Sequence, residues 1–330
     1  MTSLAPLLES FFTERLYRQL RASPNTVSGY RDTFRIFLGF AQSHLGKAPS
    51  DLLLADIDAS FVGTFLTHLE TERHSSPQTR NVRLSAIHSF FRYVALLEPA
   101  HGGRIQRILA IPKKRCDRNL VDFLTNAEVE ALLKVPDQSN WLGRRDHALL
   151  LVGVETGLRV SELNGLCPEQ MVLGTGPHVR CRGKGRKERC VPLSRRTASM
   201  LKAWVAEQQH GGPSSPIFQK RGGGTLTRDA IERIIAKSAA KAAHTCTSLN
   251  EKRVSPHVLR HTFAMRLLQS GVDCLTIALL LGHESVDTTY IYLHTDLSIK
   301  EKALARVAQA GTVFRRYQPG DQLMAFLNAL

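Results

Sequence analysis

The feature that most restricts the fold of this chain is the helical spacing of apolar residues across its first hundred positions. The spacing predicts four helices: Leu7–Arg21, a second that Thr26 caps and that runs through Phe40, a third that follows Asp58 and runs through Leu69, and a fourth that follows Pro77 and runs through Phe91. A helix with one apolar stripe is stable only when another element covers that stripe. Four such helices in succession therefore predict a small helical domain with its own core.

A basic stretch that contains proline follows these helices. Residues 111–119 read IPKKRCDRN and hold few apolar anchors, which is typical of a linker between domains; a targeting signal is the competing interpretation. A length of 330 residues is enough for two domains. We therefore expect a first domain over 1–110, a basic linker over 111–120 and a second domain over 121–330.

The second part of the chain combines helices with a short hairpin. Apolar spacing predicts helices from Thr125 to Leu133, over Arg144–Thr156, over Thr227–Ala243, and from Pro256 to near Leu293. Two alternating segments, HVRCRG and ERCVPL, flank the turn at 184–187 and predict antiparallel strands. Asp321–Leu330 ends the chain with one apolar face. The fold class expected from these patterns is mainly α with a small antiparallel sheet.

The net charge restricts the class of partner. With 44 Lys+Arg against 29 Asp+Glu, the chain carries a formal charge of +15. Basic side chains that neutralise phosphates release condensed counterions, so nucleic acid is the expected partner; a basic surface that serves solubility is the alternative. The longest apolar run, Ile277–Leu281, is far shorter than the roughly 20 residues of a membrane span. Since no secretory signal is visible and the six cysteines form no C-x-x-C pair, the expected compartment is the cytosol.

Motifs for nucleotide or metal cofactors are incomplete. Gly183-Lys184-Gly185 lacks the remainder of a P-loop. His257 and His261 have the spacing of a zinc pair on one helix face, but the residues between them lack the glutamate of H-E-x-x-H. Arg260 beside them would also oppose a cation. We therefore expect neither a metal nor another cofactor.

A second class of function is indicated by Thr262–Leu281. This segment reads as helix, turn over 269–272, and helix, the arrangement of DNA-binding regulators that have no enzymatic activity. Such a module has no need for the histidines and the arginine that directly precede it.

Six polar residues together suggest metal-free phosphoryl transfer: Arg159, Lys184, His257, Arg260, His283 and Tyr292. Arginines can hold the non-bridging oxygens of a phosphodiester and oppose the charge that develops there. Lysine and histidine can exchange protons, and tyrosine can attack phosphorus and hold it covalently. Taken singly, each of the six also has an ordinary interpretation as an ion-pair partner, a helix cap, a turn residue, or a solvated side chain.

Four sequence boxes resemble those of the tyrosine recombinase (phage integrase) family. They are TGLRVSEL, GKGRKERCVPL, HVLRHTFAMRLLQSG and LGHESVDTTYIYLH, and they occur in the order of the family. Their wording is most similar to that of Xer-like and transposon-borne simple integrases. The resemblance implies a two-domain DNA clamp, with a helical core-binding (SAM-like) domain over 1–110 and an α+β catalytic domain over 121–330.

The resemblance also implies how the reaction is shared among residues. Tyr292 matches the nucleophile, which leaves a 3′-phosphotyrosyl bond and frees a 5′-hydroxyl. Arg159 and Arg260 match the arginines that clamp the phosphate, and Lys184 matches the hairpin lysine that protonates the leaving oxygen. Because the phosphotyrosine conserves the bond energy, religation needs neither ATP nor metal.

Histidines and an acid complete the implied site. His257 matches the proton-handling histidine of the H-x-x-R box, and His283 matches the histidine that hydrogen-bonds the phosphate. Glu162 fits an acidic position that orients its neighbours. Tyr290, two residues before the implied nucleophile, falls on another face of the helix and is expected to pack or to make a contact. His261 is expected to be structural.

The expected function is integration, excision or transposition of a mobile element, with double-stranded DNA as the partner. The resemblance implies a tetramer on two DNA sites, formed by this chain alone or together with sister recombinases. It also implies a C-terminal helix that docks on a neighbouring protomer, and packing on its own domain is the alternative for Asp321–Leu330. Xer-type dimer resolution, a type IB topoisomerase and the non-enzymatic regulator remain as alternative functions.

Overall fold

The computed structural model of the chain describes residues 2–116, 121–183, 188–208 and 212–295. The chain divides into two units, Met1–Arg118 and Asn119–Leu330, and each unit has its own apolar core. Lys184 and the predicted tail helix Asp321–Leu330 lie outside the described residues. Within the described ranges, no helix is both long enough and apolar enough to cross a membrane.

The first unit is helical. Its elements are α1 (Leu4–Ser10), which continues as a π-helix over Phe11–Gln19, then α2 (Pro24–Leu45), α3 (Ala59–Thr71), α4 (Pro77–Leu97) and α5 (Gly102–Leu109). The four predicted helices are confirmed, and α5 is an addition. The prediction that Thr26 caps α2 is wrong, because Ser23 Oγ accepts the Thr26 backbone N–H and Pro24 begins the helix. Proline suits that position since its missing N–H would have no helical partner.

The first part of the predicted linker is attached to the first unit. The Asn81 side chain donates to the Lys114 carbonyl at 2.8 Å and accepts the Lys114 backbone N–H at 3.0 Å. Lys114 Nζ also lies 2.8 Å from a carboxylate oxygen of Glu70 on α3. These contacts fix the chain as far as residue 116; residues 117–120 lie outside the described part.

The second unit combines eight α-helices with three strands among its described residues. They are α6 (Asn126–Lys134), α7 (Trp141–Thr156), α8 (Val160–Asn164), β1 (Met171–Val172), β2 (His178–Arg182), β3 (Glu188–Pro192), α9 (Arg195–Glu207), α10 (Arg228–Ala242), α11 (Pro256–Gln269), α12 (Cys274–Leu281) and α13 (Asp287–Thr295). The sheet is antiparallel in the order β1-β2-β3, with Val179 opposite Val191. The predicted mainly helical class with a small antiparallel sheet is confirmed; β1, α8 and α9 were not predicted.

Candidate active site

The candidate site is built around the ends of α7 and α12. Gly157 and Gly282 cap these helices in the left-handed conformation, with φ of 58° and 65°. Residues with a Cβ adopt this conformation at a cost, so glycine is favoured here. The last carbonyls of a helix have no partner within the helix and carry partial negative charge. The two ends therefore offer several oriented acceptors for cationic side chains.

Arg260 on α11 spans both helix ends. Its Nη1 donates to the Gly157 carbonyl at 2.7 Å and its Nη2 to the Leu281 carbonyl at 2.5 Å. The residue is 5% exposed. Burial, followed by the nearby charge of Arg159, lowers the pKa of Arg260 to about 10. The guanidinium therefore stays cationic at neutral pH, and two of its donors are fixed by backbone oxygens.

Arg159 is held by the same region from the other side. It is the N-cap residue of α8, and its Nη2 donates to the Gly282 carbonyl at 2.6 Å. Its Nη1 donates to Glu162 Oε1 at 3.2 Å, while its backbone N–H donates to Glu162 Oε2 at 2.8 Å. Carbonyls from the end of α12 thus orient both arginines.

Glu162 is shared with a second buried cation, Arg189 of β3. The two N–H groups of Arg189 donate to the two oxygens of Glu162 at 2.8 Å each, and its Nε donates to the Leu280 carbonyl at 2.8 Å. Both side chains are below 10% exposure. Burial alone would raise the pKa of Glu162, but hydrogen bonds from Arg189 and from the Arg159 backbone lower it. The carboxylate is therefore ionised, and it links β3, α8 and the end of α12.

The end of β2 meets this network at Gly183. Lys184 itself lies outside the described residues, but Gly183 directly precedes it. A Cβ on Gly183 would lie 3.5 Å from Arg159 Nη1 and 3.7 Å from Glu162 Oε1. The strand end that leads into Lys184 is therefore next to the arginine cluster.

The two predicted histidines lie on different elements. His257 is exposed on the first turn of α11, one turn before Arg260. Desolvation, Arg228 and Arg260 lower the pKa of His257. His283 directly follows Gly282, and its Nδ1 lies 2.7 Å from the Thr289 hydroxyl. Burial and the charges of Arg260 and Arg159 lower the pKa of His283 to about 4.

Tyr292 and Tyr290 lie in opposite environments on α13. Tyr292 is 1% exposed, whereas Tyr290 is 47% exposed. Burial raises the pKa of the Tyr292 phenol to about 12, against an opposing effect of Arg260. The Tyr292 hydroxyl lies 2.9 Å from Nδ1 of His261 on α11. The expectation that the two tyrosines face different surroundings is confirmed.

Five of the six predicted site residues are described: Arg159, His257, Arg260, His283 and Tyr292. Arg159 and Arg260 meet at the end of α12, and His283 directly follows that end. His257 lies one turn before Arg260 on α11, and the Tyr292 hydroxyl contacts His261 of the same helix. The sequence interpretation did not identify Arg189. The sequence does hold a signal for Arg189, because it lies two residues before the buried Val191 on β3 and therefore faces the same side of the strand. A charge at an inward-facing strand position needs a partner. His261 was identified only as structural, although it contacts the Tyr292 hydroxyl.

Comparisons with known proteins agree with this arrangement. The model of the phage integrase family matches residues 122–298, and the model of its N-terminal SAM-like domain matches residues 10–96. The integrase/recombinase y4rC of Sinorhizobium fredii (strain NGR234) is 52% identical over 99% of this chain and 98% of its own length. Tyrosine recombinase XerC of Pelobacter propionicus is 33% identical, over 89% of this chain and 93% of that protein.

A solved structure extends the similarity to the whole fold. The Tn1549 transposon integrase in complex with transposon right-end DNA aligns with a TM-score of 0.69, at 17% identity, over 93% of this chain and 100% of that chain. At this identity the likeness concerns the fold. The family models and the sequence relatives settle the assignment: the chain belongs to the phage integrase family and is a tyrosine recombinase, an enzyme that breaks and rejoins DNA.

Proposed function

We propose that this recombinase cuts and rejoins duplex DNA through a covalent bond to Tyr292. In this proposal the Tyr292 oxygen attacks the scissile phosphorus, the bond from phosphorus to the 5′-oxygen breaks, and a 3′-phosphotyrosyl bond forms. The phenolic proton passes to the histidines of α11, where His257 is assigned to proton handling, and Lys184 supplies a proton to the leaving 5′-oxygen. Religation runs the same steps in reverse with a new 5′-hydroxyl. The number of phosphoester bonds is unchanged, so no external energy source is required.

The observation that carries the proposal is the pair of clamped guanidiniums. Arg260 donates to carbonyls at the ends of α7 and α12, and Arg159 donates to a carbonyl at the end of α12 and to Glu162, which fixes both guanidinium planes before any substrate binds. Fixed cations stabilise the charge that develops on a phosphoryl group without reorganising during the reaction. We assign His283, which adjoins Gly282 and is neutral at neutral pH, as a hydrogen-bond donor to the same phosphate. Glu162 holds Arg159 in place.

We further propose that the chain serves a mobile element. Supporting this, the relative that is 52% identical bears the name of an integrase/recombinase, whereas the XerC relative is 33% identical. Two duplexes present four strands for exchange and each copy of the chain offers one Tyr292, so we propose a tetramer on two DNA sites. The site of action is the cytoplasm, where bacteria such as those of the relatives keep their DNA. Resolution of chromosome dimers is the second candidate function.

A nicked suicide substrate tests the chemistry. Duplex fragments that the protein binds are selected from the genomic DNA that carries its gene, the DNA beside the gene included, and each is nicked a few nucleotides 3′ of the cleavage point so that the released fragment diffuses away. We expect a covalent adduct that survives denaturation and forms in the presence of EDTA. Tyr292→Phe abolishes the adduct, and the matched control Tyr290→Phe retains it. An adduct that persists in Tyr292→Phe but is lost in Tyr290→Phe would overturn the assignment of the nucleophile.

The same selection of bound DNA distinguishes the two candidate functions, recombination of a mobile element and resolution of chromosome dimers. Recovery of sequences from the ends of a mobile element supports integration or transposition. Recovery of one chromosomal site, with no element ends beside the gene, supports dimer resolution instead.

A further inference from the structure

We propose that His261 is a positioning residue for Tyr292: its imidazole accepts the hydrogen bond of the phenol and fixes the phenolic oxygen relative to Arg260. The catalytic meaning of this contact rests on the proposed role of Tyr292 as the nucleophile. The contact itself does not, and it can be tested separately.

The geometry of the pair favours a specific hydrogen bond over simple packing. The Tyr292 oxygen lies 2.9 Å from His261 Nδ1, and the two rings meet edge to face with centroids 5.6 Å apart at 63°. Tyr292 is almost fully buried in an apolar cluster that includes Met265 and Leu281. A buried hydroxyl without a partner is unfavourable, so such groups normally form a hydrogen bond. His261 supplies that partner from α11.

The protonation states of the two groups allow the phenol to donate this hydrogen bond. Burial, followed by the charges of His257 and Arg260, lowers the pKa of His261 to about 4, although Asp122 acts in the opposite sense. The imidazole is therefore neutral at physiological pH, and its Nδ1 can accept. The raised pKa of Tyr292, about 12, keeps the phenol protonated, and with the imidazole proton on Nε2 the phenol donates to Nδ1.

The position of His261 in the chain links the Tyr292 phenol to the Arg260 guanidinium. His261 directly follows Arg260 on α11, and the Arg260 side chain is anchored by the Gly157 and Leu281 carbonyls. A rigid helix therefore holds the guanidinium and the acceptor of the phenol at a fixed separation. An error of about 1 Å in such a distance can slow a reaction about 100-fold.

A matched pair of substitutions tests the role of the acceptor. In His261→Asn the side-chain carbonyl can take the place of Nδ1, while His261→Leu has nearly the same shape and no acceptor. The first measurement is nitration of the DNA-free, full-length protein by tetranitromethane, followed by mass spectrometry of the tryptic peptide over 267–300. Exposed Tyr290 lies in the same peptide and serves as the internal control.

We expect Tyr292 to be protected in the native protein and in His261→Asn. In His261→Leu, where the phenol loses its partner, nitration of Tyr292 should be about tenfold faster while that of Tyr290 is unchanged. On the nicked substrate, His261→Leu should form adduct about 100-fold more slowly at unchanged DNA affinity, and His261→Asn should stay within about fivefold of the native rate. Tryptophan fluorescence checks that the variants fold, and His261→Phe replaces the leucine variant if that one does not.

Three results would overturn the proposal. The two variants could show equal nitration of Tyr292 and equal rates of adduct formation, or both could lose adduct formation to the same extent. His261→Leu could also form adduct faster than the native protein, which would mean that the contact restrains Tyr292. Failure of the proposed function is distinguishable. If Tyr292→Phe still forms adduct, Tyr292 is not the nucleophile, while the nitration pattern still reports whether His261 holds its phenol.

Discussion

Replacing Gly157 with alanine tests whether the end of α7 orients Arg260. Gly157 has a φ of 58°, and a Cβ there would lie 2.6 Å from Phe263 Cδ1 and 2.9 Å from Leu281 Cδ2. The left-handed conformation costs alanine about 1–2 kcal/mol, and overfilling a packed core costs about 1–3 kcal/mol. Gly157→Ala should therefore lower the free energy of unfolding of the second unit by about 2–5 kcal/mol.

Gly176 provides a matched control in the same unit. Its φ of 64° is similar, but a Cβ there would meet nothing within 4 Å. Gly176→Ala should therefore cost only the backbone contribution of about 1–2 kcal/mol. The assay is urea unfolding of the full chain by tryptophan fluorescence. The chain has two tryptophans, Trp141 and Trp204, and both lie in the second unit, so the signal reports that unit alone.

Activity gives an independent measurement of the same perturbation. The Gly157 carbonyl accepts a hydrogen bond from Arg260, so a shift of this carbonyl moves the guanidinium. Adduct formation by Gly157→Ala should slow about 100-fold under conditions where the variant is folded, and Gly176→Ala should keep the native rate. Equal urea midpoints for the two variants, or a native rate for Gly157→Ala, would refute the reasoning.

Two further predictions concern buried charge. Glu162→Gln leaves the buried Arg189 guanidinium without its carboxylate and should lower the free energy of unfolding by about 3–5 kcal/mol, measured by the same fluorescence assay. Glu232→Gln, which breaks an exposed ion pair, should cost less than about 1 kcal/mol; equal losses would contradict the role of burial. The pKa values of His261 and His283 in the folded protein are both about 4, below the unfolded value of 6.5. Between pH 4 and pH 6.5 the unfolded state therefore binds more protons than the folded state. The free energy of unfolding consequently falls as the pH drops from 6.5 towards 4. Allowing for the partial exposure of both rings, the urea midpoint should fall from pH 7 to pH 5 by the equivalent of about 2 kcal/mol, and an unchanged midpoint would show that the histidines are protonated in the folded state.

Local signals in the sequence were sufficient to predict where most helices lie. Asp58, Ser76 and Thr125 each precede a predicted helix, and each accepts a backbone N–H from that helix's first turn. Caps act within four residues, so their effect can be read from the sequence. The misassigned cap of α2 has the same local cause, because Ser23 and Thr26 are both good caps and the proline between them favours the earlier start.

The sequence by itself determined the chemistry available to this protein. The order and wording of the boxes predict which arginines, histidines and tyrosine form the site, through their resemblance to the boxes of the family. It could not assign their surroundings. The carbonyl that orients Arg159 comes from Gly282, 123 positions away, and every residue carries a carbonyl that looks the same in a sequence.

Only the tertiary structure decided which tyrosine is enclosed and what holds it. Tyr290 and Tyr292 differ by two positions on one helix, yet the packing of α11 and α12 buries one and leaves the other exposed. The same packing places His261 against the Tyr292 phenol and brings Arg189 of β3 to Glu162. Burial and pairing of this kind depend on elements that are distant along the chain, so no local pattern encodes them.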